Sequence, residues 1–354
     1  MINSHIHIFR DKDVPVKFLP LHLVRFLSTK IGFKIVAKVL NFLNPISNDD
    51  LFNRYVKFMT IGSLGSQEKI LNECQKYYPD GTKFVILPMD MSFMKAGKVP
   101  RNYMEQLEEL SKLKKTNDNI LPFVHTDPRR NNILDILKQY IEVEKFSGVK
   151  VYPSLGYFPY DERMYPIYKY CEENGIPIMS HCAPLNQVHY RGSKKEVLKM
   201  LSGSKIKFDT KGKSVKELCS YFSHPSNWEF VMKDFPKLKI CLGHFGGEYY
   251  WTKYLENPEE KDNWFSIIKS LIRKYDNLYT DLSFTMNDDT FFSILKILLL
   301  DETIKNKVLF GSDFYMVETA TNEKRFSMDL RAYLGEDNFN FISDYNPKKY
   351  LNIK

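Results

Sequence analysis

Cysteine is scarce. Five are scattered through 354 residues (Cys74, Cys171, Cys182, Cys219, Cys241), an odd number with no C-x-x-C pair. This excludes a disulfide framework and points to a reducing, cytoplasmic compartment. Long apolar runs are missing too. The longest, Ile294 to Leu300, is broken by Lys296 and falls far short of the roughly 20 residues that span a bilayer. The opening Met1-Ile-Asn-Ser-His-Ile-His has no basic region followed by an apolar stretch, so no signal peptide is expected and no membrane partner. Neither G-x-G-x-x-G nor G-x-x-x-x-G-K-[ST] occurs, which removes the commonest phosphate-cradling turns. Low-complexity segments and short repeats are also lacking. What remains is ordinary globular composition: 43% hydrophobic, 14% aromatic and 27% charged residues, with a formal charge of +8. That many aromatics can fill a core, so disorder is excluded.

Short apolar runs alternate with helical patterns along the whole chain. Strands are predicted at Ile2–Ile8, Lys83–Met89, Ile120–His125, Gly148–Tyr152, Ile176–His181, Lys239–His244, Leu278–Ser283 and Val308–Asp313. Amphipathic stretches lie between them, as in Leu107, Leu110, Leu113 and in Ile133, Leu134, Leu137, Ile141. Eight β-then-α units predict an α/β fold of the (β/α)8 TIM-barrel type, with an open doubly wound sheet as the rival. Residues 1–354 read as a single domain. Three connections exceed what a barrel needs: Phe9 to Thr82 after strand 1, Cys182 to Ser214 after strand 5, and Phe245 to Asn263 after strand 6. The first is rich in Phe and Leu, and 9–65 is expected to form a helical cap. All three leave the C-terminal ends of strands, where barrel enzymes build their sites.

Those strand ends carry the chemistry. Strand 1 ends in His5-Ile6-His7, strand 5 in His181, strand 6 in His244 and strand 8 in Asp313. Residues two apart on a strand share a face, so His5 and His7 can converge on one cation at the barrel mouth. Imidazoles with a carboxylate suit a divalent ion. Zinc is favoured by ligand type, and manganese, cobalt or iron are compatible. An open position on such an ion lowers the pKa of water to near ~7. Taken singly, each residue has a plainer use: a packed histidine, or a Gly-Ser-Asp turn. Their shared placement at the ends of strands 1, 5, 6 and 8 is what argues for a site.

The order H-x-H, Gly-Val-Lys-Val-Tyr-Pro (148–153), Ser-His181, Gly-His244-Phe-Gly-Gly and Phe-Gly-Ser-Asp313 resembles the amidohydrolase superfamily. Within it, the branch that includes aminocarboxymuconate-semialdehyde decarboxylase and related metal-dependent hydrolases is most similar. The C-terminal Tyr345-Asn-Pro-Lys-Lys-Tyr-Leu-Asn-Ile353 is similar to that branch's tail. The resemblance implies that His5, His7, His181 and Asp313 are metal ligands. It also implies that His244 is the general base or acid, with Asp313 sharing proton transfer. A homodimer is implied by analogy alone.

Lys150 lies on strand 4, where binuclear members of the superfamily carry a carbamylated lysine. Other readings are a buried lysine paired with Asp90, or a substrate-binding cation. Tyr152 and Trp251 stand at the same rim as candidate substrate contacts, and His125 and Asp281 as substrate contacts or as partners that support the ligands from behind. Arg129 follows strand 3 and could grip a substrate carboxylate as a bidentate fork. Asp127, with Pro128 after it, is expected to cap a helix. From Arg191 to Lys216, nine Lys or Arg face only Glu196 and Asp209. This is a solvated loop or a steering field for an anionic substrate, and it lacks the aromatics of a nucleic-acid module. The leading expectation is a metal-dependent hydrolase cleaving an amide, ester or lactone in a small, anionic substrate. The alternatives are a non-oxidative decarboxylase of an unsaturated or aromatic carboxylic acid, and a metal-stabilised barrel without catalysis.

Overall fold

Period-two alternation organises the sheet. Val85, Leu121, Phe123, Met179, Cys241, Tyr279 and Leu309 belong to one apolar cluster, while their chain neighbours Phe84, Ile120, Val124, Ile178, Ile240, Leu278 and Val308 belong to another. Side chains on successive strand residues point to opposite faces, so the first set fills the inside of a cylinder and the second packs under the surrounding helices. The computed structural model describes residues 1–18 and 57–353. The strands are β1 (Ile2–Ile6), β2 (Lys83–Ile86), β3 (Ile120–Thr126), β4 (Gly148–Val151), β5 (Ile178–Ser180), β6 (Ile240–Leu242), β7 (Leu278–Asp281) and β8 (Val308–Leu309). They form one sheet in the order β1 to β8, with each neighbouring pair parallel. A parallel bridge between Ile6 and Phe314 brings its two edges together. The protein is a (β/α)8 TIM barrel.

Helices between the strands begin where their caps dictate. Asn102 with Glu105, Ser193 with Glu196 and Ser214 with Glu217 each form a reciprocal capping box. The helix Trp264–Lys274 buries Trp264, Phe265, Ile268, Leu271 and Ile272 as one stripe against the barrel. At the N-terminal end of the barrel, Tyr350 and Leu351 join the interior cluster and close the cylinder. The long connections after β5 and β6 contain helices of their own, Lys194–Leu201 and Gly247–Glu256 among them. Most of the cap expected over 9–65 lies on residues 19–56, outside the described residues; 57–62 are helical. No described helix is long and apolar enough to cross a membrane.

Strand β1 departs from regular pairing in a way that positions the site. Asn3 pairs with Phe84 and Ile6 with Ile86, so three steps on β1 match two on β2. One extra residue is accommodated, as in a β-bulge. Ile2 belongs to the interior cluster, yet Ile6 belongs to the outer one. The shift therefore turns His5 and His7 inward.

Candidate metal centre

His5, His7 and Asp313 meet at the C-terminal mouth of the barrel. One ligand atom from each lies within 4.8 Å of the others, and all three residues are buried. The partners of the two imidazoles fix which nitrogen is free. His5 Nδ1 faces Asp281 Oδ2 at 2.9 Å, and His7 Nδ1 faces the Leu87 carbonyl at 2.7 Å. Both partners only accept, so each Nδ1 carries the proton and each Nε2 presents a lone pair. Asp313 Oδ1 stands 3.8 Å from His5 Nε2 and 3.3 Å from His7 Nε2. His5 Nε2 and Asp313 Oδ1 are buried without a hydrogen-bond partner among the described residues. Two lone pairs and a carboxylate oxygen aimed at one another are mutually repulsive unless a cation stands between them. The donor set fits a divalent metal ion.

Asp281, at the end of β7, anchors this arrangement. Besides His5 it accepts the backbone N–H groups of His244 (3.0 Å) and Ser283 (3.0 Å) and the Ser283 hydroxyl. Burial alone would raise its carboxyl. His5, His244 and Ser283 together hold it well below the ordinary carboxylate range. The sequence left Asp281 open as a partner behind the ligands or a substrate contact; in the structure it hydrogen-bonds His5 Nδ1. Burial, reinforced by the Lys150 charge, pushes His5 down to about 3, and burial with the neighbouring His5 charge pushes His7 well below its usual value. Both rings are therefore neutral near neutral pH, the form that ligates metal.

His181 stands outside the trio. Its Nδ1 is 2.9 Å from His244 Nε2, and its Nε2 faces Asn186 Oδ1 at 2.5 Å. Asn186 is fixed in turn by the Ala183 carbonyl (2.8 Å) and Ser154 Oγ (3.1 Å). Nothing in the sequence near His181 announces that a loop amide five residues later will fold back onto it. His244 points Nδ1 at the Ser283 carbonyl (2.9 Å), so His181 and His244 form two imidazoles in series beside the trio. The Tyr152 ring stacks on His181 at 4.4 Å. His244 and Asp313 both have left-handed backbone, at φ 69° and 67°. Such strain costs on the order of 1–3 kcal/mol per residue and collects at functional sites. The His244 conformation aims a side chain into the mouth from a position one past the inward-facing Gly243.

Lys150 and His125 occupy paired positions on β4 and β3, both fully buried. Lys150 Nζ has no hydrogen-bond partner among the described residues. Burial lowers it to about 8, against the pull of Asp281 and Asp313. It is not paired with Asp90, whose carboxylate is taken by Arg130 (Nε to Oδ2, 2.5 Å). His125 Nδ1 accepts the Asp90 N–H at 2.8 Å, so its proton is on Nε2, a buried donor also without a partner.

Other rim residues have different duties. Asp127 holds Arg129 in a two-pronged pair (2.8 and 2.6 Å), so that fork is already engaged. Asp127 also accepts the Arg129 N–H in a turn, and the helix that follows begins at Ile133 after Asn132; Asp127 does not cap it. Trp251 is core: its Nε1–H donates to the Phe245 carbonyl at 3.0 Å, and its ring packs on Phe265 and Phe291. Arg191, at the head of the basic stretch, binds the Phe18 and Lys17 carbonyls.

A family profile described as Amidohydrolase matches residues 108–353, more than two thirds of the chain and a span that includes His181, His244 and Asp313. The chain belongs to this amidohydrolase family. Solved structures that share the amidohydrolase's barrel include 5-carboxyvanillate decarboxylase from Novosphingobium aromaticivorans with bound manganese. It has a TM-score of 0.56 at 12% identity, over 99% of this chain and 97% of that one. The corresponding decarboxylase from Sphingomonas paucimobilis gives 0.55 at 12%, over 100% and 99%. The 4-oxalomesaconate hydratase from Rhodopseudomonas palustris gives 0.51 at 15%, over 99% and 95%. At these identities the likeness is one of fold. A search of curated proteins finds no match.

Proposed function

We propose that this amidohydrolase is a metal-dependent hydrolase that cleaves an amide, ester or lactone bond in a small anionic substrate. The observation that carries the reading is the convergence of His5 Nε2, His7 Nε2 and Asp313 Oδ1, neutral imidazoles and a carboxylate with no donor between them among the described residues. These three residues would hold the divalent cation, with zinc the first expectation. When bound, that ion supplies Lewis acidity, polarising a carbonyl and acidifying water.

The chain's own residues supply the rest. His244 carries its proton on Nδ1 and offers Nε2 toward His181 Nδ1, so the two rings can hold or pass a proton at the edge of the site. Asp281 keeps His5 in the ligating tautomer. The buried Lys150 ammonium and the His125 Nε2–H face the interior from the opposite strands and suit a negative charge on the substrate. The Tyr152 ring stacks on His181 and covers one face of it. Lys150, over the Tyr152 ring and without a hydrogen-bond partner among the described residues, also favours a second reading, loss of CO2 from an unsaturated or aromatic carboxylate, which needs an anchored anion and a proton donor.

The metal-loaded protein, assayed against lactones, esters and amides with and without a carboxylate, should release protons from the anionic lactones or esters, or free amine from the anionic amides. Carboxylated aromatics in the same panel should release no CO2. His244→Ala should lose at least about 100-fold in turnover while keeping its metal. CO2 release without hydrolysis selects the second reading. Unchanged turnover in His244→Ala overturns the assigned role of the histidine pair.

A further inference from the structure

We propose that Asn3 is a positioning residue that sets the separation of His5 and Asp313 across the seam between β1 and β8, with Tyr78 and Glu323 fixing its orientation. The inference rests on the reading that His5, His7 and Asp313 hold a divalent cation.

The seam is where the barrel has least regular structure. β8 has two residues, and its pairing with β1 is reduced to the single bridge between Ile6 and Phe314. Three backbone hydrogen bonds cross it: Ser4 N–H to the Phe310 carbonyl (2.8 Å), Asp313 N–H to the His5 carbonyl (2.8 Å) and His7 N–H to the Phe314 carbonyl (2.5 Å). The Ser312 N–H, between them, donates to the side chain of Asn3 at Oδ1 (3.2 Å). The same oxygen accepts the His5 N–H (3.3 Å). One amide oxygen therefore ties the backbone of one ligand to the residue preceding another.

The other end of the amide is equally committed. Asn3 Nδ2 donates to Tyr78 Oη (2.9 Å) and to Ser312 Oγ (2.8 Å). All four hydrogen-bonding positions of a fully buried amide are thus used. The orientation is forced from outside the seam. Tyr78 donates its hydroxyl proton to Glu323 Oε1 at 2.5 Å, so only a lone pair faces Asn3 and only Nδ2 can meet it. Oδ1 is left pointing at His5 and Ser312. None of these residues touches the ligand atoms. They act on the ligands' backbone; losing a partner bonded directly to a ligating side chain typically costs 10–100-fold in metal affinity, and the lower end of that range is the scale expected here.

The test compares wild type, Asn3→Leu and Tyr78→Phe, each stripped with a chelator and titrated with cobalt(II) alone. The readouts are the dissociation constant and the visible absorption bands, which report ligand geometry. Asn3→Leu should bind cobalt at least about 10-fold more weakly with shifted or weakened bands. Tyr78→Phe, which keeps the amide but frees its orientation, should move both readouts the same way by a smaller factor. If Asn3→Leu does not fold, Tyr78→Phe decides the matter. Wild-type affinity and wild-type bands in Tyr78→Phe, or in a folded Asn3→Leu, overturn the proposal. Failure of the wild-type protein itself to bind cobalt overturns the metal reading beneath it.

Discussion

Asp281 illustrates how much one carboxylate can determine. It sets the His5 tautomer, holds the His244 backbone in its left-handed turn and receives both the N–H and the hydroxyl of Ser283. Asp281→Ala should weaken divalent-metal binding by at least about 10-fold, measurable by chelator competition. Glu323 offers a residue-scale test away from the ligands. Burial pushes its carboxyl up to about 7, against hydrogen bonds with Ser312 and Tyr78 and with Glu318 and Lys57 nearby; the Cys74 thiol also faces it. A carboxyl raised on folding stabilises the native state at low pH, and that contribution fades as pH climbs from about 4.5 to about 7. In Glu323→Gln the amide oxygen can still accept from Tyr78 and nothing titrates. The melting temperature of this variant relative to wild type should therefore rise between pH 5 and pH 8. A difference that stays flat or falls over that range contradicts the assignment.

At the scale of elements, the barrel was legible because its strands obey a simple period. Eight apolar runs of strand length, each followed by a helical pattern, admit few other architectures. The identity of the inward face of β1 was not legible. Ile2, Ile6 and Ile8 share one parity and His5 and His7 the other, and a regular strand with Ile2 inside would turn both histidines out. Only the register shift reconciles them, and it depends on how β1 meets β2 and β8, which no local pattern encodes. The partnerships at the rim were hidden for the same reason. Arg130 with Asp90, and Asn186 with His181, are set by loop paths rather than by spacing along a strand. Gly311 tests the closeness of β8 and β1. A Cβ there would lie 2.8 Å from His5 Cβ and 3.3 Å from His5 N. Gly311→Ala should cost about 1–3 kcal/mol in urea unfolding and weaken metal binding in parallel.

For the whole molecule, the trio binds together the C-terminal end of the first strand and the segment just after the last, more than three hundred positions apart in sequence. An ion bound only by the folded state should stabilise the entire barrel. At about 100 times its dissociation constant it contributes about 2.7 kcal/mol, which raises the melting temperature of a chain this long by roughly 4 °C. Scanning calorimetry with and without added metal measures that increment, and the increment should vanish in His7→Ala. Family membership and the barrel place the chain among enzymes; the chemistry it performs follows from what its mouth holds. Diffraction from crystals loaded with cobalt, recorded at the cobalt absorption edge, locates that directly. A single strong anomalous peak about 2.0–2.2 Å from His5 Nε2, His7 Nε2 and an Asp313 oxygen is the predicted result. Ions bound only elsewhere, with those three side chains free of metal, would contradict it.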